Sequence, residues 1–93
     1  MSTEQNVIAE LQKANAIVDH LTHTSPAVIQ LMSQLREDVT QYNRTVIQDQ
    51  LKQQFEAALY QGGVPTGMVP QLALMLAYNT VKDIRMVVAM QGR

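Results

Sequence analysis

Apolar residues recur along this chain at alternating spacings of three and four, the period that places side chains on one face of an α-helix. The first such stretch covers about residues 3–21, and a longer second stretch covers about residues 26–61. Ser25 can cap the second helix through its hydroxyl, and Pro26 fits the first helical position, where its missing N–H costs nothing. A third stretch covers about residues 70–90. The pattern therefore predicts an all-α chain of three helices.

The apolar line of the second predicted helix shifts partway along. Its first part keeps the three-and-four spacing and fails at Asp49, and the line resumes on a different side of the helix. A shift of this kind is typical of a stutter in a coiled coil, where the helix changes partners or wraps around a core. The first line comprises Val28, Met32, Leu35, Val39, Tyr42 and Val46, and the second comprises Ile47, Leu51, Phe55 and Leu59.

Glycine and proline mark residues 62–69 as the loop between the second and third helices. Gly62 and Gly63 follow the last periodic residue, and one of them is expected to adopt the left-handed conformation that glycine accepts at low cost. A connection this short favours antiparallel neighbours, so the two helices are predicted to form a helical hairpin. The chain is predicted to form a single domain over residues 1–93, completed by oligomerisation.

The last predicted helix is the most apolar part of the chain. Residues 72–78 are seven consecutive apolar residues, so no polar face remains over two turns, a pattern typical of a helix buried on all sides. Further along, Met86 and Met90 share a strip of the helix with Lys82 and Asp83. Three helices with such a third member leave more apolar surface than one small bundle hides, and a second chain would cover the remainder.

Composition narrows the class of protein. Apolar residues make up 46% of the chain and aromatic residues only 4%, which favours an aliphatic helical core. A net charge of −1 argues against a nucleic-acid partner, and the lack of cysteine excludes disulfides and thiolate metal sites. The sequence shows neither a signal peptide nor an apolar run long enough to span a bilayer, so we expect a soluble protein, cytoplasmic by default.

The polar residues indicate no catalytic or metal centre. His20 and His23 lie one helical turn apart, but zinc needs three or four ligands, and no other His or Glu has a spacing that points back to them. Two histidines near a helix C-terminus fit a surface or capping role. Glu37 and Asp38 are adjacent, so their carboxylates project about 100° apart and do not share a site. We therefore expect no enzyme activity, no metal and no cofactor.

Two further patterns were compared with a phosphate-binding loop and with a nucleic-acid interface, and neither matches in detail. The glycines of residues 62–67 precede a helix, as in phosphate-binding loops, but no Lys-Ser/Thr pair follows them, and Pro65 and Pro70 remove N–H donors. Turn and cap formation explains this loop. Lys82 and Arg85, with the C-terminal arginine, are too few for a nucleic-acid interface.

The last predicted helix continues with Asn79, Thr80, Val81, Lys82, Asp83 and Ile84. Together with the helical hairpin and its Pro/Gly turn, this ending resembles the helical-hairpin subunits of type III secretion needles. The resemblance implies a filament-type subunit of a secretion apparatus. It covers little of the chain, and the additional first helix and the short last helix depart from that family, so no functional residue carries over.

These observations favour a non-enzymatic protein-interaction or assembly module, which self-associates or docks into a larger complex through its last helix and part of the second. One alternative is a chaperone or adaptor that holds a partner helix in a groove from Val28 to Leu59. Others are an inhibitor or regulator of nucleic-acid machinery and a small metal-dependent enzyme that uses His20 and His23. The residues predicted to contact a protein partner are Leu74, Met75, Tyr78, Met86 and Met90.

Overall fold

The computed structural model describes residues 3–92, with side chains described from residue 6 onward. The predicted all-α class is confirmed, but the predicted number of three helices is wrong. The stretch 26–61, predicted as one helix, is two helices separated by residues 38–40. The described residues form α1 (Thr3–Thr24), α2 (Pro26–Glu37), α3 (Gln41–Gln61) and α4 (Val69–Gln91).

The break between α2 and α3 is made by short polar side chains that bond to the backbone. Asp38 has an extended backbone conformation, and its Oδ1 accepts the N–H of Thr40 at 3.1 Å. Thr40 caps α3, because its Oγ1 accepts the N–H of Asn43 at 3.4 Å. The Asn43 Nδ2 donates to the carbonyl oxygen of Asp38 at 2.6 Å. Such side-chain-to-backbone bonds give the chain an alternative to continuing the helix.

The break also explains why the apolar line shifts. Leu35 is fully buried and Ile47 is 2% exposed, so both side chains face the core. In one continuous helix these residues, twelve positions apart, would project about 120° apart. A change of direction at residues 38–40 lets both point inward. The predicted stutter is therefore wrong, and Tyr42, which was assigned to the first apolar line, is 80% exposed at the start of α3.

The start of α2 confirms the predicted cap. The Ser25 Oγ accepts the N–H of Val28 at 3.4 Å, and Pro26 lies in the first turn without needing a donor. α1 extends to Thr24, three residues beyond its predicted end, and the N–H of Ser25 still donates to the carbonyl oxygen of Leu21 at 2.9 Å. A single residue thus separates the first two helices.

α3 ends in a Schellman motif, a C-terminal cap in which two N–H groups bond back to the last turn. Gly63 has a φ of +83°, the left-handed conformation predicted for one of the two glycines. Its N–H donates to the carbonyl oxygen of Tyr60 at 3.2 Å, and the N–H of Val64 donates to that of Leu59 at 3.1 Å. The Nζ of Lys13 in α1 donates to the carbonyl oxygen of Gly63 at 3.3 Å, which joins α1 to the end of α3.

α3 and α4 form an antiparallel hairpin around which the core is built. Residues 41–48 at the start of α3 line the same cleft as residues 78–85 in the later part of α4. Phe55 of α3 is the largest fully buried side chain, and α1 and α2 each contact both helices of the hairpin. The buried core comprises Ala14, Val18, Val28, Leu35, Ile47, Leu51, Phe55, Leu59, Val64, Val69, Ala73, Leu76, Ala77, Val81 and Ile84.

Candidate functional site

α4 buries only one of its sides. The prediction that residues 72–78 are buried all round is wrong, since Leu74, Met75 and Tyr78 are exposed. The reason is that the other three helices all pack against the same side of α4. Neither α4 nor any other helix within residues 3–92 has both the length and the apolar character that crossing a membrane requires. The packed side carries Val69, Ala73, Leu76, Ala77, Val81 and Ile84.

The outer side of α4 carries five exposed apolar side chains, and we call this surface the apolar face. Their positions fall within about 160° of the helix circumference, so they share one side of the helix. Asn79, Lys82 and Arg85 also lie on this side, and the aliphatic stems of Lys82 and Arg85 can cover apolar neighbours while their charged groups stay in water. The apolar face consists of the residues predicted to contact a partner, exposed as follows: Leu74 47%, Met75 39%, Tyr78 53%, Met86 50% and Met90 75%.

Exposed apolar residues elsewhere in the described chain are scattered over the other helices. Val87 is also exposed on α4, but it lies on the α2 side, in a depression shared with Arg36. Single exposed apolar residues are normal on protein surfaces, whereas several on one side of one helix are a pattern typical of interaction surfaces. The scattered residues are Val7, Ile8, Ile29, Tyr42 and Tyr60.

A second surface lies beside the apolar face, in a cleft between the start of α3 and the later half of α4. Its volume is about 210 Å³, and we call it the basic cleft. Three of its lining residues are cations, Arg44, Lys82 and Arg85, and none is acidic. Tyr78 belongs to both surfaces, so the two are contiguous. The full lining comprises Gln41, Arg44, Thr45 and Gln48 of α3 and Tyr78, Val81, Lys82 and Arg85 of α4.

Sequence reasoning missed the basic cleft because its cations come from two helices. In the sequence, Arg44 stands near Glu37 and Asp38 and fits a solvated charged surface, whereas Lys82 and Arg85 alone are too few for a nucleic-acid interface. No signal in the sequence identifies the cleft, because every helix presents rows with spacings of three and four, and the packing of α3 against α4 decides which two rows meet. These rows are residues 41, 44, 45 and 48, and residues 78, 81, 82 and 85.

The two histidines lie in the last turns of α1. The Nδ1 of His23 is 2.8 Å from the carbonyl oxygen of Asp19 and 3.9 Å from its Oδ1, so this histidine interacts with its own helix. His20 lines a different depression, beside Ala58 and Gly62 at the end of α3. Within the described residues, no group of three His, Asp or Glu side chains is close enough to hold a metal ion.

The groove predicted between Val28 and Leu59 has a mainly polar lining, whereas an apolar lining was expected. The apolar residues that would line it, Val28, Leu35, Leu51 and Phe55 among them, are fully buried against the chain's own helices. What remains at the surface is a shallow groove of about 480 Å³ between α2 and α3. A partner helix lying there would meet mainly glutamine side chains. The lining residues are Ala27, Gln30, Leu31, Gln34, Gln50, Gln53 and Gln54.

The fold and its surfaces describe an all-α protein whose C-terminal helix carries an apolar face next to a basic cleft. Comparison of the chain with known protein families, curated proteins and solved structures found no match.

Proposed function

We propose that this protein is a non-enzymatic helical interaction module that docks through the apolar face of α4, in the first instance onto a second copy of itself. The observation that carries the proposal is the grouping of five large exposed apolar side chains on one side of one helix. Its partners are proteins rather than nucleic acids, in keeping with a net charge of −1. A cysteine-free chain fits the cytoplasm as the default compartment.

The energetics of burial support a second copy as the partner. Full burial of a Leu, Met or aromatic side chain contributes about 1.5–3 kcal/mol, and the five residues of the apolar face are on average half exposed, so covering them is worth about 4–8 kcal/mol per copy. Association itself costs about 4–15 kcal/mol. Two copies related by a two-fold axis cover both faces at once and gain about 8–16 kcal/mol. A polar partner would recover only half of that gain.

The fold does not need the apolar face, which leaves that face available for docking. The core draws apolar side chains from all four helices and from the loop between α3 and α4. The exposed parts of Met86 and Met90 contribute nothing to this core. Polar replacements there are therefore expected to change association without unfolding the chain, because surface substitutions usually alter stability by no more than about 0.5 kcal/mol.

Sedimentation velocity tests the proposal over protein concentrations from roughly 1 μM to 1 mM, a range that reports association free energies of about −8 to −4 kcal/mol. The wild-type chain is expected to shift from monomer to a larger species as concentration rises. The double variant Met86→Glu, Met90→Glu is expected to remain monomeric, because each copy would bury two charges in the interface. The matched control, Val7→Glu with Ile8→Glu, adds the same charge on α1 and is expected to associate like the wild type.

Self-association is refuted if the wild-type chain is monomeric throughout this range. Docking through α4 in particular is refuted if the wild type associates and the Met86 and Met90 double variant associates equally well. If the Val7 and Ile8 control loses association instead, the interface lies on α1. Circular dichroism of each variant establishes that a loss of association does not reflect unfolding.

A further inference from the structure

The basic cleft concentrates positive charge in a chain whose net charge is −1. Arg44 enters the cleft from α3, and Lys82 and Arg85 enter it from α4. We propose that the basic cleft is a binding site for a phosphate group. The basic cleft shares Tyr78 with the apolar face, but the inference does not rest on the proposed function, because its ligand is a phosphate group and its evidence is the charge of the cleft.

The three cations of the basic cleft have no carboxylate partner in the part of the chain that the structure describes. The ion pairs within 4 Å there join Glu10 to Lys13, Asp19 to His23 and Lys52 to Glu56, and all lie outside the cleft. Like charges brought together by folding repel one another, which destabilises the folded state. An anion bound in the basic cleft would offset this repulsion and so stabilise the folded state.

The chemistry of the lining favours phosphate over a single carboxylate. A phosphate ester carries a charge of about −1.5 to −2 near neutral pH, which balances more of the three positive charges than one carboxylate does. Arg44 and Arg85 each present the planar fork of donors that binds phosphate oxygens in pairs, and Lys82 adds a mobile point charge. The cleft also lies at the first turns of α3, where the helix dipole favours a negative ligand.

Neutral side chains complete the cleft with hydrogen-bond donors. Gln41, Gln48 and Tyr78 line it, and their side chains carry amide N–H and phenolic O–H donors. The Thr45 hydroxyl proton is not free for a ligand, because it already bonds to the carbonyl oxygen of Gln41 at 3.0 Å. With a volume of about 210 Å³, the cleft admits a phosphate together with part of the group that carries it.

An NMR titration of the whole chain with inorganic phosphate, at ionic strength held constant with chloride, tests the site. Backbone amide signals of the cleft residues are expected to shift and saturate with a dissociation constant of about 1 mM, the affinity of a few exposed charge-assisted hydrogen bonds. The double variant Arg44→Gln, Arg85→Gln is expected to bind at least about tenfold more weakly. The control Arg36→Gln removes a cation of α2 that lines another depression, with Asp83 of α4, and is expected to bind phosphate like the wild type.

Two further titrations identify the ligand chemistry. Methyl phosphate that binds as well as inorganic phosphate assigns the site to a phosphate carried by a larger molecule, whereas much weaker binding assigns it to the free ion. Acetate is expected to bind more weakly than either. The proposal is overturned if phosphate produces no saturating shifts, if acetate binds as tightly, or if Arg36→Gln weakens binding as much as the cleft variant. Unchanged amide spectra of the unliganded variants show that they remain folded.

Discussion

Replacing Thr40 by alanine removes the hydroxyl oxygen that accepts the N–H of Asn43 at the start of α3. The loss of an N-cap side chain costs about 0.5–2 kcal/mol, and the bond length of 3.4 Å places this cap in the lower half of that range, at about 0.5–1 kcal/mol. For a chain of this length, such a loss lowers the midpoint of thermal unfolding by about 2–8 °C. Whether stability falls or rises distinguishes two separate helices from one continuous helix.

If residues 26–61 formed one continuous helix, the same substitution would have the opposite effect. Thr40 would then lie in the interior of a helix, where alanine is more favourable than threonine by roughly 0.5 kcal/mol. The matched control is Thr45→Ala, because Thr45 lies inside α3, is exposed, and bonds only to the carbonyl oxygen of Gln41 one turn back. That control is expected to be neutral or slightly stabilising.

Thermal and urea unfolding followed by far-ultraviolet circular dichroism measures both variants. We expect Thr40→Ala to unfold at a lower temperature than the wild type and Thr45→Ala at the same or a higher temperature. A third variant, Thr40→Ser, keeps an oxygen at the capping position and is expected to retain most of the wild-type stability. A break between α2 and α3 that is capped by Thr40 is contradicted if both alanine variants change stability in the same direction.

Four other variants test the core, the loop and the apolar face by the same unfolding assay. Phe55→Ala is expected to cost about 3–5 kcal/mol, a large fraction of the stability of a small domain, because it leaves a cavity in the core; a loss below about 1 kcal/mol would contradict that placement. Gly63→Ala is expected to cost about 1–2 kcal/mol, because alanine is strained at a φ of +83°. Gly67→Ala, with open space around the added methyl group, is expected to be neutral or stabilising by up to about 1 kcal/mol. Equal effects of alanine at Gly63 and Gly67 would contradict the capping motif. The Met86→Glu, Met90→Glu variant is expected to unfold as the wild-type monomer does, to within about 1 kcal/mol, and a larger loss would mean that these side chains stabilise the monomer.

Several parts of the fold follow from the sequence because they depend on neighbours along the chain. The cap at Ser25 and a left-handed glycine at residue 62 or 63 are set by residues within one turn. The structure has the cap as predicted and the left-handed conformation at Gly63. The second apolar line was also predicted correctly, because a spacing of four keeps side chains on one side of any α-helix. Its members Ile47, Leu51, Phe55 and Leu59 are all buried.

The helix break was predicted wrongly although its residues are visible in the sequence. Asp38 and Thr40 are good caps, but threonine, aspartate and asparagine also occur inside helices, so propensity alone does not place a boundary. The decision is made by packing, since Leu35 and Ile47 both enter the core only if the chain changes direction between them. The shift in the apolar line is present, but its cause is a break between two helices and not a stutter in one helix.

The sequence by itself determined the helical class, the cap at Ser25, the glycine cap at the end of α3 and the side of α3 that is buried, because periodicity and capping act within a few residues. Only the tertiary structure decided which side of α4 faces outward and which cations meet across the hairpin. Those features depend on which helices pack against each other, and many weak contacts between distant residues together settle that choice. Leu74 and Leu76 look alike in the sequence, yet one is exposed and the other is buried because the other helices cover only one side of α4.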